Sequence, residues 1–572
     1  MSDSDEDPQL QLRDLELDED DMKLEAIDER PNWFETPDHL NLPVVDKHFH
    51  KQELWQHSEE KVPFFDEGKS GPRNMPDGVE NFTILQIFLL LFPLSTLEAI
   101  VVQTNLYYAQ CCVRDKEPIQ ASKFLQLKEL MWWLGLHMKF TKEWCGAQDA
   151  YFEDGSAFDA RRVMPRHRFY WIKKYLHFSD NSKEPPRSSP LYDQLYKLRL
   201  LIETLNMTFG KYWKAYTYVS LDEMMLAFKG KNPFHRYIPR KPHPNGTKLH
   251  AICCSVSYWC MRFMVDDNIT RSVPEIAYYL FKNHVDPGQI IVTDRWYSCQ
   301  GLVALCLLLG IGLLATTTTN CFLGKRSLTG WSKQEGKAKE RGEYECAVNQ
   351  DQTVCCLCWK DGSVVRLTMT AGCTARTRIT RNKRNMGKFL VKAPMAIQNF
   401  FQWFHGCDRS DQMRGPGYGT VGTFRASKYT VKFFLGCFDM VLANAWILWT
   451  TLHPLYKKKK MHRHWWLDLA NQMMNYDRPV DFDAPPVTGT AHNQRKFGMD
   501  AKSGRRRSHA CAPCAAKNKR VRTVNGCKQC MVALCSSACS VQWHQWTPDQ
   551  RKRNKKRYRN LTFEDESKHN VE

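Results

Sequence analysis

Near Tyr216 the apolar period of this chain changes, and the switch limits the possible folds more than any other feature. Before it, apolar and aromatic side chains recur at helical spacing, as in Phe124, Leu127, Leu130, Met131 and Leu134, and again over residues 195–209. Pro185, Pro186 and Pro190 mark a loop between the two stretches. After the switch the runs are short and β-rich, at 218–221, 249–255 and 262–265, with Pro242, Pro244 and Gly246 as breakers. A helix over 276–281 follows Pro274, which suits a helix start. Next comes a strand at 289–293, whose apolar centre Ile290–Val292 is the type buried on both faces of a sheet. A helix at 300–309 and a buried strand at 311–317 complete a β-β-β-α-β-α-β order. That order predicts an α/β core with a mixed sheet, preceded by a mainly helical domain.

A length of 572 residues implies several domains. We expect an acidic, largely disordered region at 1–80, where a solvated tail outweighs a docking helix at Leu10–Leu24. The helical domain spans 81–215 and the first part of the α/β core 216–319. A β-containing insertion follows at 320–395, with strands near 344–348, 353–359 and 364–369. The second part of the core, with helices, spans 396–455. A polar linker covers 456–504, a Cys-rich segment 505–550 and a basic tail 551–572. The formal charge is +19, yet residues 1–30 hold 13 acids against 3 bases, while 502–559 hold 16 bases against one acid. A basic body with an acidic arm points to a polyanionic partner, nucleic acid before others. The acidic start is the opposite of a secretory signal, so the 22 cysteines read as buried or metal-bound thiols. Leu302–Ala315 is the strongest apolar run, and Gly310 and Gly312 break it. No membrane partner is expected.

Four acids sit where folding could bring them together. Asp222 lies in Val-Ser-Leu-Asp-Glu-Met-Met near a strand end, and Asp294 follows the strand Ile-Ile-Val-Thr. Asp408 and Asp411 lie in Gly-Cys-Asp-Arg-Ser-Asp-Gln-Met, three apart and so on one face of a starting helix. Phosphoryl transfer on DNA commonly uses two divalent ions about 3.5–4 Å apart, and Mg²⁺ prefers carboxylate oxygens. Taken singly, each acid reads equally as a local strand-end or helix-cap residue. Glu223 should face away from Asp222, because strand side chains alternate. Trp296 and Tyr297 could stack on an unpaired base or pack against the sheet.

The tail carries Cys511-x-x-Cys514 and Cys527-x-x-Cys530, then Cys535, Cys539 and His544. This spacing is a strong zinc indicator, and with His509 as an eighth ligand it would serve two Zn²⁺ ions in an interleaved cross-brace. Arg505, Arg506, Arg507, Lys519 and Arg520 surround the cluster and suit phosphate contact, nuclear import or both. Arg425 and Lys428 are further candidates for phosphate contact. Cys346, Cys355, Cys356, Cys358 and Cys373 read as buried strand thiols, since Val354, Leu357 and Trp359 interleave them.

The blocks at 222–230, 232–242, 292–298 and 406–413, with the Cys-rich tail, resemble the piggyBac transposases over roughly residues 80–455 and the tail. The resemblance implies an RNase H-like (retroviral integrase-type) catalytic core with a β-containing insertion. A helical dimerisation and DNA-binding domain would precede it, and a small zinc-binding domain would follow. It further implies that Asp222, Asp294 and Asp408 form a catalytic triad holding Mg²⁺ or Mn²⁺, with Asp411 as an additional acid. The implied activity is metal-dependent strand cleavage and strand transfer on double-stranded DNA, from transposon ends into TTAA targets, by a nuclear homodimer. The alternative is a domesticated, catalytically silent protein that binds DNA or chromatin sequence-specifically. Cys407 stands where the family usually has Val, a change of similar size with little effect expected.

Overall fold

The computed structural model describes residues 42–142, 160–239, 244–317, 331, 333–383, 387–415, 419–421, 426–454 and 461–478. It also describes 494–496, 509–512, 514, 521–523, 525–527, 532–533 and 539. The chain divides into two compact units, one of residues 1–146 with 163–476 and one of 147–162 with 477–572. The proposed helix at Leu10–Leu24 lies outside the described residues.

The larger unit is built on one ten-stranded sheet. Its centre is β1 (Tyr218–Ala227), which pairs antiparallel with β2 (Asn245–Cys254), itself antiparallel to β3 (Cys260–Val265). On its other side β1 pairs parallel with β4 (Ile290–Thr293), and β4 pairs parallel with β5 (Gly312–Thr316). The order 3-2-1-4-5 with three antiparallel and two parallel members is the RNase H-like arrangement. The parallel pairs need crossover helices, and Val273–Phe281 and Gln300–Leu308 supply them. The first of these is fixed at its start by a capping box between Ser272 and Glu275.

The insertion does not stand apart from this sheet. Its strands β6 (Tyr344–Asn349), β7 (Cys355–Lys360) and β8 (Val364–Met369) extend it, since β8 pairs antiparallel with β5. The outer edge is closed by Phe49–Gln52 paired with β6. Residues 42–80 therefore include packed structure within the region expected to be largely disordered. Trp55, 2% exposed, and Val62, 1% exposed, supply the apolar anchors that composition averaged over 80 residues conceals. The Trp55 amide donates to Thr374 Oγ1 at 2.8 Å. Cys346, Cys355, Cys356 and Cys358 are all buried in this half of the sheet.

Helices cover one face of the core strands. Tyr429–Leu452 lies against β1 and β3: Asn444 accepts from the Cys260 amide at 3.0 Å and donates to its carbonyl at 2.9 Å. Gly436 permits the approach, because a Cβ there would lie 2.8 Å from the Leu226 side chain. The same helix meets Ile84–Leu91 through Phe88 and Phe438, ring centroids 5.7 Å apart. By length and composition this 24-residue helix could cross a membrane, and 89% of its most apolar 18-residue window is buried. Within the segment expected to be a polar linker, Met461–Met474 is a helix that packs on Leu127–Lys142. Trp465, Trp466, Leu469 and Met473 form its buried stripe, and the Trp466 indole donates to the Met138 carbonyl at 3.0 Å.

Glu203, on the helix Arg199–Tyr212, is a half-buried acid with a consequence for stability. Burial raises its carboxyl to about 7, opposed in part by Arg199. A folded-state value above the unfolded one favours folding at low pH, and that advantage is lost as pH rises through about 7. Glu203→Gln is expected to stabilise the chain at pH 8 by about 1–3 kcal/mol and to change little at pH 5. Denaturant midpoints at the two pH values check this, and equal effects at both would refute the assignment.

Candidate active site

The middle of β1 and the carboxyl end of β4 carry two of the four acids, so Asp222 is not the strand-end residue expected. Leu221 and Thr293 are the last paired residues of that parallel ladder, and Thr293 Oγ1 donates to the Leu221 carbonyl at 2.8 Å. The register therefore carries on to Asp222 beside Asp294, on strands about 4.8 Å apart and with side chains on one face. Asp222 is half-buried and its Oδ1 accepts from the Glu223 amide at 2.7 Å. Asp294 is exposed, and its Oδ1 accepts from the Trp296 amide at 2.8 Å, a local turn that fixes the carboxylate.

The third block is a short helix, Gly406–Met413, laid on the Asp222 face of the sheet. A Cβ at Gly406 would lie 2.7 Å from Ser220 Cβ and 3.2 Å from the Cys253 carbonyl oxygen, so only glycine allows this contact. Ser220 Oγ donates to the Phe404 carbonyl at 3.0 Å, just before the helix. Cys407 Sγ lies 3.3 Å from the Ser220 carbonyl and 3.4 Å from that of Ala251. This thiol has a role that valine could not take, because it hydrogen-bonds the two strands beneath the site. Burial, with the Asp222 charge, raises its pKa. Asp408, one residue on, is 43% exposed and 3.6 Å from His405 Nδ1. Asp411 forms an ion pair with Arg414, whose side chain is buried.

Tyr297 lies within electrostatic reach of residues from all three blocks. Burial pushes its phenol far above the ordinary value, and the charges of Glu223, Asp222, Cys407 and Asp294 push the same way. Its hydroxyl is 2.7 Å from His250 Nδ1. Burial lowers His250 to about 3, so that imidazole is neutral at physiological pH. Of the two aromatics after Asp294, Tyr297 packs inside and Trp296 stays 47% exposed. The Trp296 ring is stacked on His250, with the Lys248 ammonium 4.3 Å from its centroid. Lys248 in turn pairs with Glu223 at 2.7 Å, on the face opposite Asp222. The sequence did not signal Lys248 or His250; they become visible only through strand register.

Among the described residues the three aspartates do not form a group of ligand atoms all within 4.8 Å of one another; the group that does is Cys511, Cys514 and Cys539. Cys514 Sγ lies 3.7 Å from Cys539 Sγ. Two thiolates at about 2.3 Å from one tetrahedral Zn²⁺ stand about 3.8 Å apart, so the spacing fits that ion. The first Cys pair thus lies beside Cys539, which follows the second pair in sequence. His509 pairs through its backbone with Thr523 and is not in the group. The side chains of Cys527, Cys530, Cys535 and His544 lie outside the described residues, as do Arg425, Arg505, Arg506, Arg507, Lys519 and Arg520. Lys428 is turned inward: its ammonium donates to the Lys174 carbonyl at 2.5 Å and lies 4.5 Å from the Tyr107 ring centroid. An open groove of about 710 Å³ is lined by Lys229, Lys231, His235 and Tyr429, a basic recess on the run leading out of β1.

Comparison with known proteins gives consistent relatives. The family model described as Transposase IS4 matches residues 84–446. Human PiggyBac transposable element-derived protein 3 is 28% identical over 411 residues, 67% of this chain and 63% of the relative. Human PiggyBac transposable element-derived protein 2 is 24% identical over 302 residues, 50% of this chain and 48% of the relative. The chain therefore spans less than two thirds of the length of either relative. Among solved structures, the cryo-EM structure of a piggyBac transposase synaptic complex with hairpin DNA superposes with a TM-score of 0.57. It is 18% identical and covers 82% of this chain and 99% of that one, a likeness of fold.

Proposed function

This chain belongs to the piggyBac-type branch of the Transposase IS4 family, and we propose that it cuts and joins DNA by metal-dependent phosphoryl transfer at Asp222, Asp294 and Asp408. The observation that carries this reading is the parallel register of Leu221 and Thr293, which sets Asp222 beside Asp294 under the helix bearing Asp408. Three carboxylates form an all-oxygen donor set suited to Mg²⁺ or Mn²⁺. When bound, such ions activate the attacking oxygen and neutralise the leaving one. The chain's own part is to fix the carboxylates. The Trp296 amide orients Asp294, the Glu223 amide orients Asp222, and Cys407 holds the Asp408 helix to both strands. Arg414 holds Asp411, so this fourth acid acts through the helix end.

The substrate in this reading is duplex DNA, as transposon ends and a TTAA target, worked on by a nuclear homodimer. The solved piggyBac transposase that shares the fold holds hairpin DNA. Zn²⁺, in two sites, completes the C-terminal segment, with Cys511, Cys514 and Cys539 as three ligands of one of them. The test is incubation of the purified chain with duplex carrying its candidate terminal repeats flanked by TTAA. Nicked and hairpin products are expected with Mg²⁺ and should vanish when Ca²⁺ replaces it, with zinc left in place. Binding without cleavage would favour the silent DNA-binding alternative, and no binding would overturn both readings.

A further inference from the structure

Among the described residues, a one-sided charged surface outside the site is a β-ribbon made of β9 (Arg376–Lys383) and β10 (Gly387–Pro394). Its register is regular, with Arg378 opposite Lys392, Thr380 opposite Leu390 and Asn382 opposite Lys388. Alternation divides it into two faces. The inner face is fixed to the protein by Ile379, Val391 and Ala393, which are 8%, 4% and 1% exposed. There Thr377 donates to Gln398 at 2.9 Å, and the Trp359 indole donates to the Lys392 carbonyl at 2.9 Å. The inward cation, Arg381, is neutralised by Asp361 at 2.9 Å and lies over the Phe401 ring.

The outer face is different. Arg376, Arg378, Lys388 and Lys392 are all exposed, and no carboxylate stands among them. None of the four side chains takes part in an ion pair among the described residues, whereas the inward arginine does. Leu390, between Lys388 and Lys392, is 63% exposed. At about 3.4 Å per residue the ribbon extends roughly 27 Å. Over that length a DNA duplex presents one phosphate charge per about 1.7 Å of axis.

We propose that the outer face of this ribbon is a docking surface for the phosphate backbone of duplex DNA, engaged by Arg376, Arg378, Lys388 and Lys392. The inference rests on the transposase reading and adds a surface to it. The ribbon is joined stiffly to the site. Pro394 at the end of β10 leads into the helix Met395–Trp403, the Met395 amide donates to the Ala375 carbonyl at 2.8 Å, and Gly406–Met413 with Asp408 follows. Duplex held on the ribbon is thereby held in a fixed relation to Asp408. Contacts of this kind go to phosphate and are independent of base sequence.

The experiment uses the full zinc-loaded chain with Ca²⁺ in place of Mg²⁺ and Mn²⁺, so that nothing is cut, and measures affinity for a duplex as a function of salt. A variant with Arg376→Gln, Arg378→Gln, Lys388→Gln and Lys392→Gln is compared with a control in which exposed Lys61, Lys69, Lys183 and Lys337 become Gln. Each lost phosphate contact lowers the log–log slope by about 0.9, so the ribbon variant should lose about 2–4 units and the control far less. All replaced side chains are exposed, so an unchanged melting temperature is expected and shows that folding is intact. A ribbon variant with the wild-type slope, or a control that falls equally, overturns the proposal and leaves the transposase reading standing. A wild-type chain that binds no duplex overturns both.

Discussion

Asp294→Asn is expected to lower DNA cleavage by about 10³-fold or more, with Asp222→Asn and Asp408→Asn doing the same and the fold intact. Asparagine keeps the size of the side chain and keeps an oxygen able to accept from the Trp296 amide at position 294 and from the Glu223 amide at 222. What it removes is charge. A divalent ion held by one fewer carboxylate loses several kcal/mol of transition-state stabilisation, and each 1.36 kcal/mol is a factor of ten in rate. Asp115→Asn is the control: that acid is exposed and pairs with its neighbour Arg114, so cleavage should stay within about two-fold. Cleavage rates on end-containing duplex, with melting temperatures alongside, read the result. If any of the three aspartate variants folds and cuts at the wild-type rate, that residue is not a metal ligand.

Much of this site could be read from sequence because its parts are local. The strand 290–293 is a short apolar run followed at once by Asp294. Asp408 sits in the first turn of a helix that its own block specifies. Pro274 announces the helix that carries the chain from β3 toward β4. The features that escaped depend on distant partners. The strand Phe49–Gln52 is polar and short, and acquires its structure only by pairing with β6. Met461–Met474 was masked by the lysine run before it, although its Trp465, Trp466 and Leu469 stripe has helical spacing. The β9–β10 ribbon was passed over because its outer positions are basic and its inner ones few. Cys407 looked like a conservative exchange in composition; the two strand carbonyls within reach of its sulfur make it a bridge.

Removing zinc should unfold the C-terminal unit and leave the larger one standing. The described part of this unit has little apolar interior: Ala160, Cys511, Ala512 and Ala533 are its buried hydrophobics. Its strands are two or three residues long, such as His509–Ala510 against Arg522–Thr523. Pairs that short do not hold in water unaided. Three thiols gathered within 4.8 Å offer the missing free energy, since structural zinc contributes about 10–16 kcal/mol of apparent binding energy at pH 7 and that energy is folding energy. A strong chelator, or Cys511→Ala, is therefore expected to open residues 477–572 to protease while residues 163–476 keep their melting transition. The sulfur–sulfur distance of 3.7 Å between Cys514 and Cys539 makes the expectation sharper, because it is the span one tetrahedral ion imposes. Elemental analysis should find zinc in the purified chain and one equivalent less in the Cys511→Ala variant. A variant with undiminished zinc and unchanged protease resistance would show that these thiols are packing groups and that the segment folds without metal.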